Sequence, residues 1–237
     1  MITETESPKI GVLCWEKGHV PKGLQQLETL PGNSTNPASY AYPVRFHHVR
    51  GANVHTILEN PDPIVLSTMI DDAKTMASQG VRAISTSCGF NAIFQRELAV
   101  AAGVPVFTSS LLQVPLARQI CGPDAEICII TARSSALGPE HLEAVGIAGT
   151  SGLHVIGLEH CAEWNRMFAE PEAEIDLDAI AQEVLGTTRQ ALLDHPGIRA
   201  FVLEFTDLPP YSAAIRRQSG LPVFDFITMA NYLYSVI

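Results

Sequence analysis

The chain has 237 residues, enough to bury a large hydrophobic core in one domain or in two half-size ones. Its composition, with 46% hydrophobic and 17% charged residues, is that of a globular protein. The net charge of -10 argues against a nucleic-acid partner, because phosphate binding needs clustered Lys and Arg and the 15 present here are scattered.

Several other classes of protein are disfavoured by simple patterns. No apolar run approaches the roughly 18 residues of a membrane span, and the initial stretch MITETESPK lacks the order of a signal peptide, so we expect a cytoplasmic protein without a membrane partner. The five cysteines have irregular spacings and no C-x-x-C pair, which predicts neither a disulfide framework nor a zinc site. The eight histidines show no ligand spacing, and no glycine-rich nucleotide motif occurs.

Short apolar runs rich in β-branched residues alternate with helical patterns, which is typical of βα units around a parallel sheet. The apolar runs predict strands at 10–15, 42–49, 81–86, 104–109, 125–131, 153–158, 198–204 and 221–226. The intervening patterns predict helices at 63–79, 90–102, 111–121, 139–145, 176–194, 209–219 and 227–236. The predicted fold class is therefore α/β.

The segment between Trp15 and Tyr42 differs from the rest of the chain. Its density of Gly, Pro, Asn and Ser excludes one long regular element. Long loops in compact α/β domains are more often functional than not, so we expect this loop to face a ligand. A solvated surface excursion is the alternative.

An internal repeat indicates the architecture. VRA at 81–83 corresponds to IRA at 198–200, and GVPVF at 103–107 corresponds to GLPVF at 220–224. Both matches fall at one offset of 117 residues (81 to 198, and 103 to 220). We infer two pseudo-symmetric α/β halves, each a mainly parallel sheet flanked by helices.

The repeat divides the chain into a first half at 1–112 and a second half at 113–226. We expect the C-terminal helix, at 227–237, to pack back on the first half. Ligands of open parallel sheets bind beyond the carboxyl ends of the strands. The equivalent strand ends of the two halves should therefore face one cleft, which would hold the active site.

Cys88 lies between the strand at 81–86 and a predicted helix. Backbone N–H groups and the helix dipole at such a position favour a thiolate and also bind carboxylates. The offset of 117 residues maps Cys88 onto Phe205, so one half carries a thiol where the other carries a phenyl ring. A buried structural cysteine beside a tight turn is the alternative to a functional thiol.

These segments resemble a known family. TSCGFNAIFQRELAVAAGVPVFTSSLLQVPL and LEFTDLPPYSAAIRRQSGLPVFDF are similar to the aspartate/glutamate/hydantoin racemase superfamily, and PGNSTNPASYAYPV resembles its substrate-facing first loop. The resemblance covers most of the chain. It implies two pseudo-symmetric halves with the active site between them, no cofactor, and proton transfer next to a carboxylate or carbonyl, usually by two cysteines.

The chain departs from this pattern at Phe205, where members with a two-thiol site carry the second cysteine. Racemisation needs acid/base groups on both faces of the reacting carbon, and a phenyl ring cannot exchange protons. The first hypothesis is an isomerase, similar to amino-acid or hydantoin racemases, with Cys88 as its single thiol acid/base. The alternatives are a single-cysteine lyase or decarboxylase acting on a small carboxylic acid, and a catalytically silent form that binds a ligand.

Asp207 is the other candidate for an acid/base role, since it stands two positions beyond Phe205 near the mouth of the expected cleft. Strand alternation points Glu204 away from the face that Phe205 uses. For both carboxyl groups, a cap or a turn hydrogen bond is the structural alternative. The predicted substrate contacts are Asn36, Ser87, Gly89, Thr131, Phe205 and Thr206.

Trp15, Tyr40 and Phe205 should make the cleft more apolar than an amino-acid site requires, which favours an aryl, alkyl or cyclic substrate. We expect a small carboxylate or cyclic amide as substrate, no cofactor, no metal, and a homo-oligomer.

Overall fold

The computed structural model of the chain describes residues 7–18, 20–122 and 124–237. Residues 1–6, which carry most of the stretch used to judge a signal peptide, lie outside that part. The described residues form two four-stranded parallel sheets. The first contains β1 (Ile10–Cys14), β2 (Val44–His48), β3 (Ala83–Thr86) and β4 (Val106–Phe107). The second contains β5 (Glu126–Thr131), β6 (Leu153–Gly157), β7 (Ile198–Leu203) and β8 (Val223–Phe224).

Helices flank both sheets. The α-helices are α1 (Lys22–Glu28), α2 (Pro63–Ser78), α3 (Gln95–Ala101), α4 (Val114–Cys121), α5 (Pro139–Ala144), α6 (Ala162–Ala169), α7 (Leu177–Asp194), α8 (Ser212–Ser219) and α9 (Phe226–Val236). Short 3-10 turns lie at Pro37–Ser39, Gly89–Phe94, Ser110–Gln113, Ser134–Ala136 and Pro209–Tyr211, and a π-helical turn lies at His55–Glu59. No helix within the described ranges has both the length and the apolar character needed to span a bilayer.

The two sheets repeat one topology, which confirms the predicted pseudo-symmetric α/β halves. Their strand orders are β2-β1-β3-β4 and β6-β5-β7-β8, which correspond strand for strand. The GVPVF and GLPVF repeats mark the same turn in each half, and both turns need a left-handed residue. Gly103 has φ 72° and Gly220 has φ 69°, a conformation that glycine adopts without steric cost.

The core of each half is the layer between its sheet and its helices. β5 and β7 are buried along nearly their whole length, as expected for central strands of a parallel sheet covered on both faces. At the end of the chain, α9 packs Met229 and Ala230 against Ile10, Ala83 and Phe107 of the first half. The division of the chain at residue 112 stays a prediction.

The elements differ from the sequence expectations at their ends. The strand predicted at 221–226 stops at Phe224, because the Asp225 side chain accepts a hydrogen bond of 2.7 Å from the Thr228 N–H and starts α9. The strand predicted at 104–109 is shortened in the same way by Ser109, whose hydroxyl caps the following 3-10 turn. The 15–42 segment contains the short helix α1, and α6 was not predicted, because its apolar pattern spans only two turns.

Candidate active site

Equivalent strand ends of the two halves meet at the centre of the molecule. The offset of 117 residues, extended to β1 and β5, pairs Cys14 with Thr131. Thr131 donates a hydrogen bond of 2.7 Å from Oγ1 to Oε2 of Glu204. In the first half, Ser87 takes the place of Glu204 and lies beside the Cys14 thiol, which donates a hydrogen bond of 3.6 Å to the Val12 carbonyl. In each half, the ends of the two central strands therefore carry one pair of neighbouring side chains.

Cys88 immediately precedes the 3-10 turn Gly89–Phe94, without a capping hydrogen bond from its side chain, and is almost fully buried. Burial raises the pKa of its thiol well above the ordinary value, and the negative charge of Glu204 adds to that effect. Hydrogen bonds from the backbone of Phe90 and Asn91 favour the thiolate but do not outweigh these effects. When deprotonated, Cys88 is consequently a strong base held against backbone N–H donors.

The Glu204 carboxyl group is buried beside Cys88. A Cβ atom added to Gly89 would stand 2.2 Å from both the carbonyl oxygen and Oε1 of Glu204, so only glycine fits there. Burial raises the pKa of Glu204 to about 7, although the Thr131 hydrogen bond lowers it in part. Its Oε1 has no hydrogen-bond partner among the described residues. The carboxyl group can therefore change protonation state near neutral pH.

Asp207 connects the first loop to the second half. Asn33 donates a hydrogen bond of 2.6 Å from Nδ2 to Oδ1 of Asp207, and the Ser34 N–H donates one of 3.3 Å to the Thr206 carbonyl. Thr206 in turn donates from Oγ1 to the Ser87 carbonyl at 2.7 Å. Burial raises the pKa of Asp207 to about 7, while the Asn33 hydrogen bond lowers it in part. The loop and both strand ends are thereby held together.

Two residues predicted to face the cleft are engaged elsewhere. The Asn36 amide accepts from the Ala38 N–H at 2.9 Å and donates to the carbonyl oxygens of Thr29 and Leu30, so it holds the loop to itself. Tyr40 donates a hydrogen bond of 2.6 Å to the Ser34 carbonyl. Neither residue lines the two cavities described next.

A first cavity of about 660 Å³ opens beside these strand ends. Of the predicted site residues, Ser87, Phe205 and Asp207 line it, as does Cys14. Cys88, Gly89, Thr131 and Thr206 are not among its lining residues. Its lining also contains the rings of Trp15 and Phe46, the imidazole of His48, and the carboxyl groups of Glu16 and Glu28 together with Lys17. Burial raises the pKa of Glu28 as well. The lining therefore combines aromatic rings with an excess of carboxyl groups.

A second cavity of about 250 Å³ lies on the other side of Trp15 and Phe205, which line both cavities. Trp164 and Phe168 of α6 supply further rings. The Phe205 ring meets Trp164 edge-on, with centroids 5.6 Å apart and planes at 75°. The phenyl ring of Phe205 is thus part of an aromatic wall.

Sequence reasoning missed Cys14, Glu28 and Trp164. The offset of 117 residues, extended from Thr131, would have pointed to Cys14. Glu28 and Trp164 carry no local signal, because they reach the site only through the packing of α1 and α6. Within the described ranges, no group of three or more His, Cys, Asp or Glu side chains is placed to hold a metal ion.

Solved structures share this fold. Allantoin racemase from Pseudomonas fluorescens matches with a TM-score of 0.61 at 15% identity, covering 96% of this chain and 91% of that one. An aspartate racemase homologue from Pyrococcus horikoshii gives 0.59 at 16% identity, covering 97% and 100%. Arylmalonate decarboxylase gives 0.53 at 17% identity, covering 93% and 88%. The chain has the fold that these racemases and the decarboxylase share, which confirms the fold implied by the resemblance noted in the sequence.

Relatives by sequence are more specific. The chain is 30% identical over 224 residues to a dimethylsulfoniopropionate lyase from Durusdinium sp. clade D, covering 90% of this chain and 74% of the relative. It is 31% identical over 242 residues to dimethylsulfoniopropionate lyase 3 of Emiliania huxleyi, covering 95% of this chain but 59% of that longer relative. No family model matches the chain. By these relatives the chain belongs to the family of the dimethylsulfoniopropionate lyases.

Proposed function

We propose that the chain is a cofactor-independent lyase that removes the proton next to a carboxylate and breaks the bond between the neighbouring carbon and a sulfonium sulfur, which leaves as a neutral sulfide. The observation that carries this proposal is the unequal pair formed by Cys88 and Phe205 at equivalent strand ends. Elimination needs a base on one face of the carbon only, whereas racemisation needs acid/base groups on both faces. A pair of equivalent strand ends with a thiol on only one of them is therefore better suited to a lyase than to the isomerase that was the first hypothesis.

The reaction is a proton abstraction coupled to loss of a leaving group. The Cys88 thiolate takes the proton from the carbon next to the carboxylate, and the electrons of that C–H bond form the new double bond. The bond between the next carbon and sulfur breaks, and its electron pair leaves with the sulfur. Applied to dimethylsulfoniopropionate, the compound in the relatives' names, these steps release dimethyl sulfide and acrylate.

The charges around the first cavity support a substrate with a positive group. The lining contains the carboxyl groups of Asp207, Glu28 and Glu16 and the ammonium group of Lys17, so acidic groups exceed basic ones. The whole chain carries a net charge of -10. A cation that approaches through the first cavity is attracted by these carboxyl groups and then by the faces of Trp15 and Phe205, which also line the second cavity. Its positive charge also lowers the pKa of the Cys88 thiol, which makes the base available when the substrate is bound.

The predicted substrate contacts divide into two roles. Ser87 and Phe205 line the first cavity and are proposed to touch the substrate. The Gly89 N–H is proposed to hold the substrate carboxylate, because the N–H groups of Phe90 and Asn91 are directed at Cys88. Thr131 and Thr206 are proposed as positioning residues, because their hydroxyl groups hold Glu204 and the Ser87 carbonyl. Asp207, with a pKa of about 7, is proposed as the group that returns the proton to solvent.

The decisive experiment compares two thiols in one assay. Dimethyl sulfide release from dimethylsulfoniopropionate is measured for the wild type, Cys88→Ser and Cys14→Ser, since Cys14 lines the first cavity and Cys88 does not. We expect Cys88→Ser to lose about 100-fold or more in kcat/KM, the size of a general-base contribution, and Cys14→Ser to stay within about tenfold. The reverse order would make Cys14 the base and exclude the role given to Cys88. Absence of release by the wild type would overturn the substrate.

A further inference from the structure

The second cavity is an aromatic pocket behind the wall formed by Trp15 and Phe205. Four aromatic side chains line it, with apolar side chains from two other segments of the chain: Trp15, Trp164, Phe168, Phe205, Val54, Leu58, Ala132 and Ala136. Trp164 is fixed by a hydrogen bond of 3.2 Å from Nε1 to the Ala132 carbonyl. Its ring faces are therefore not free to rotate away from the pocket.

A carboxylate is built into this apolar pocket. Glu159 follows β6, and its Oε1 accepts hydrogen bonds from the Ser134 N–H, at 3.0 Å, and from the Ser134 hydroxyl. Burial raises the pKa of Glu159, but these hydrogen bonds outweigh it and the pKa lies below the ordinary value. The carboxylate is consequently charged at neutral pH. Its other oxygen, Oε2, is buried without a hydrogen-bond partner among the described residues.

The backbone beneath Glu159 is shaped to receive that carboxylate. A Cβ atom at Gly157 would overlap the Glu159 carboxylate, so the last residue of β6 admits this side-chain position only because it is glycine. Glu59 contributes a second carboxyl group to the lining, and Arg133 contributes one positive charge. The pocket therefore combines several aromatic rings with net negative charge.

We propose that the second cavity binds a methylated onium group, either a trialkylsulfonium or a quaternary ammonium. Such cations carry a diffuse charge on a methylated surface and have no N–H to donate, so aromatic faces beside a charged carboxylate suit them better than a hydrogen-bonding site does. An ordinary ammonium ion would lose hydrogen bonds to water that this lining does not replace.

The cavity also has a place in the reaction. Phe205 lines both cavities and occupies the position equivalent to Cys88. A substrate with its sulfonium end in the second cavity would hold its reacting carbon beside Phe205, between the two strand ends. The assignment of the cavity to the sulfonium end of the substrate rests on the proposed function, whereas the binding of a methylated cation does not.

Intrinsic fluorescence tests this binding directly, because both tryptophans of the chain, Trp15 and Trp164, line the second cavity. The full chain is titrated with tetramethylammonium chloride, with the neutral isostere tert-butanol, and with sodium chloride at matched ionic strength. We expect tetramethylammonium to change the emission and to bind at least about tenfold more tightly than tert-butanol. Equal affinities, or no change beyond that caused by sodium chloride, would overturn the proposal.

Two variants locate the binding site. Glu159→Gln should weaken tetramethylammonium binding by about tenfold, and Phe168→Leu should weaken it by several-fold while preserving an apolar side chain. The matched control is Glu143→Gln, which removes the same charge from an exposed site away from both cavities. Circular dichroism checks that each variant is folded. Unchanged affinity in a folded Glu159→Gln chain, or an equal loss of affinity in Glu143→Gln, would exclude the second cavity as the binding site. If a variant does not fold, the comparison of the three ligands with the wild type still tests the proposal.

Inhibition separates this inference from the proposed function. If the wild type releases dimethyl sulfide and tetramethylammonium competes with dimethylsulfoniopropionate, the second cavity binds the sulfonium end of the substrate. Binding without competition would assign the cavity to a different cation and overturn its place in the reaction. Binding by a chain without lyase activity would uphold the cation site and reject the proposed function.

Discussion

Asn33 and Asp207 are 174 residues apart in the chain, yet Asn33 Nδ2 lies 2.6 Å from Asp207 Oδ1. Both residues are buried, and Asp207 also lines the first cavity. The amide oxygen of Asn33, Oδ1, accepts hydrogen bonds from the N–H and the hydroxyl of Thr35. The loop is thus attached to the second half by the Asn33 amide, at a carboxyl group that lines the cavity.

Removal of this amide should lower the free energy of unfolding mainly when Asp207 is ionised. In Asn33→Ala the buried carboxylate loses its donor, so its pKa rises further above about 7. We expect the free energy of unfolding to fall by about 2 kcal/mol at pH 8 and by less at pH 5, where the carboxyl group is already protonated. Chemical denaturation at both pH values measures this. Asn36→Ala, whose amide bonds only to its own loop, is the control, and an equal pH dependence in both variants would contradict the role of Asn33.

Glu204 should lower stability as the pH rises. Its pKa is about 7 in the folded chain against an ordinary 4.5, so between these values the folded state holds a proton that the unfolded state has lost. The stability that this difference contributes is complete below about pH 4 and is lost as the pH rises through about 7. Glu204→Gln should therefore match the wild type near pH 4 and exceed it by roughly 1–3 kcal/mol at pH 8. Glu143→Gln is the exposed control, and a wild-type stability that rose from pH 5 to pH 8 in step with Glu204→Gln would refute the assignment.

Glycine at position 89 is required by the close approach of Glu204. The Cβ atom of Gly89→Ala would stand 2.2 Å from a backbone oxygen that cannot move aside as a flexible side chain could. We expect a loss of stability of about 2–3 kcal/mol, with lost activity in the folded fraction because Cys88 precedes this residue.

Gly186→Ala is the matched control for that substitution. Gly186 lies within α7, has no heavy atom within 4 Å of an added Cβ, and should gain about 0.5–1 kcal/mol from reduced freedom of the unfolded chain. Thermal unfolding of both variants measures the difference. A Gly89→Ala chain as stable as Gly186→Ala would show that the strand ends can separate.

The repeat made the fold and the thiol position predictable from sequence, whereas the walls of the cavities were not. Equivalent positions such as Cys88 and Phe205 follow from a constant offset, because parallel βα units repeat their backbone along with their sequence. The contact of Asn33 with Asp207 depends on how a loop without periodicity folds across to the other half. Trp164 reaches Phe205 only through the packing of α6, which two turns of apolar pattern do not specify.

A thiol introduced at position 205 should change the stereochemistry of proton transfer. In Phe205→Cys, a second acid/base group would stand at the position equivalent to Cys88, on the opposite face of a bound carbon acid. Loss of the buried ring should cost about 3 kcal/mol or more of stability, so the variant is assayed at low temperature after its folded fraction is measured.

Proton NMR in deuterated water, with a panel of chiral amino acids, hydantoins and hydroxy acids, provides the readout. We expect the wild type to retain the configuration of every carbon at which it incorporates deuterium. Phe205→Cys should form the product of inverted configuration as well. Phe205→Ser is the control, since serine opens the same space without a thiol. Inversion in both variants would assign the second proton to water admitted by the lost ring. Inversion in Phe205→Cys alone, abolished by the further change Cys88→Ser, would establish that the two strand ends face one substrate and that Phe205 restricts the present chain to one side of it.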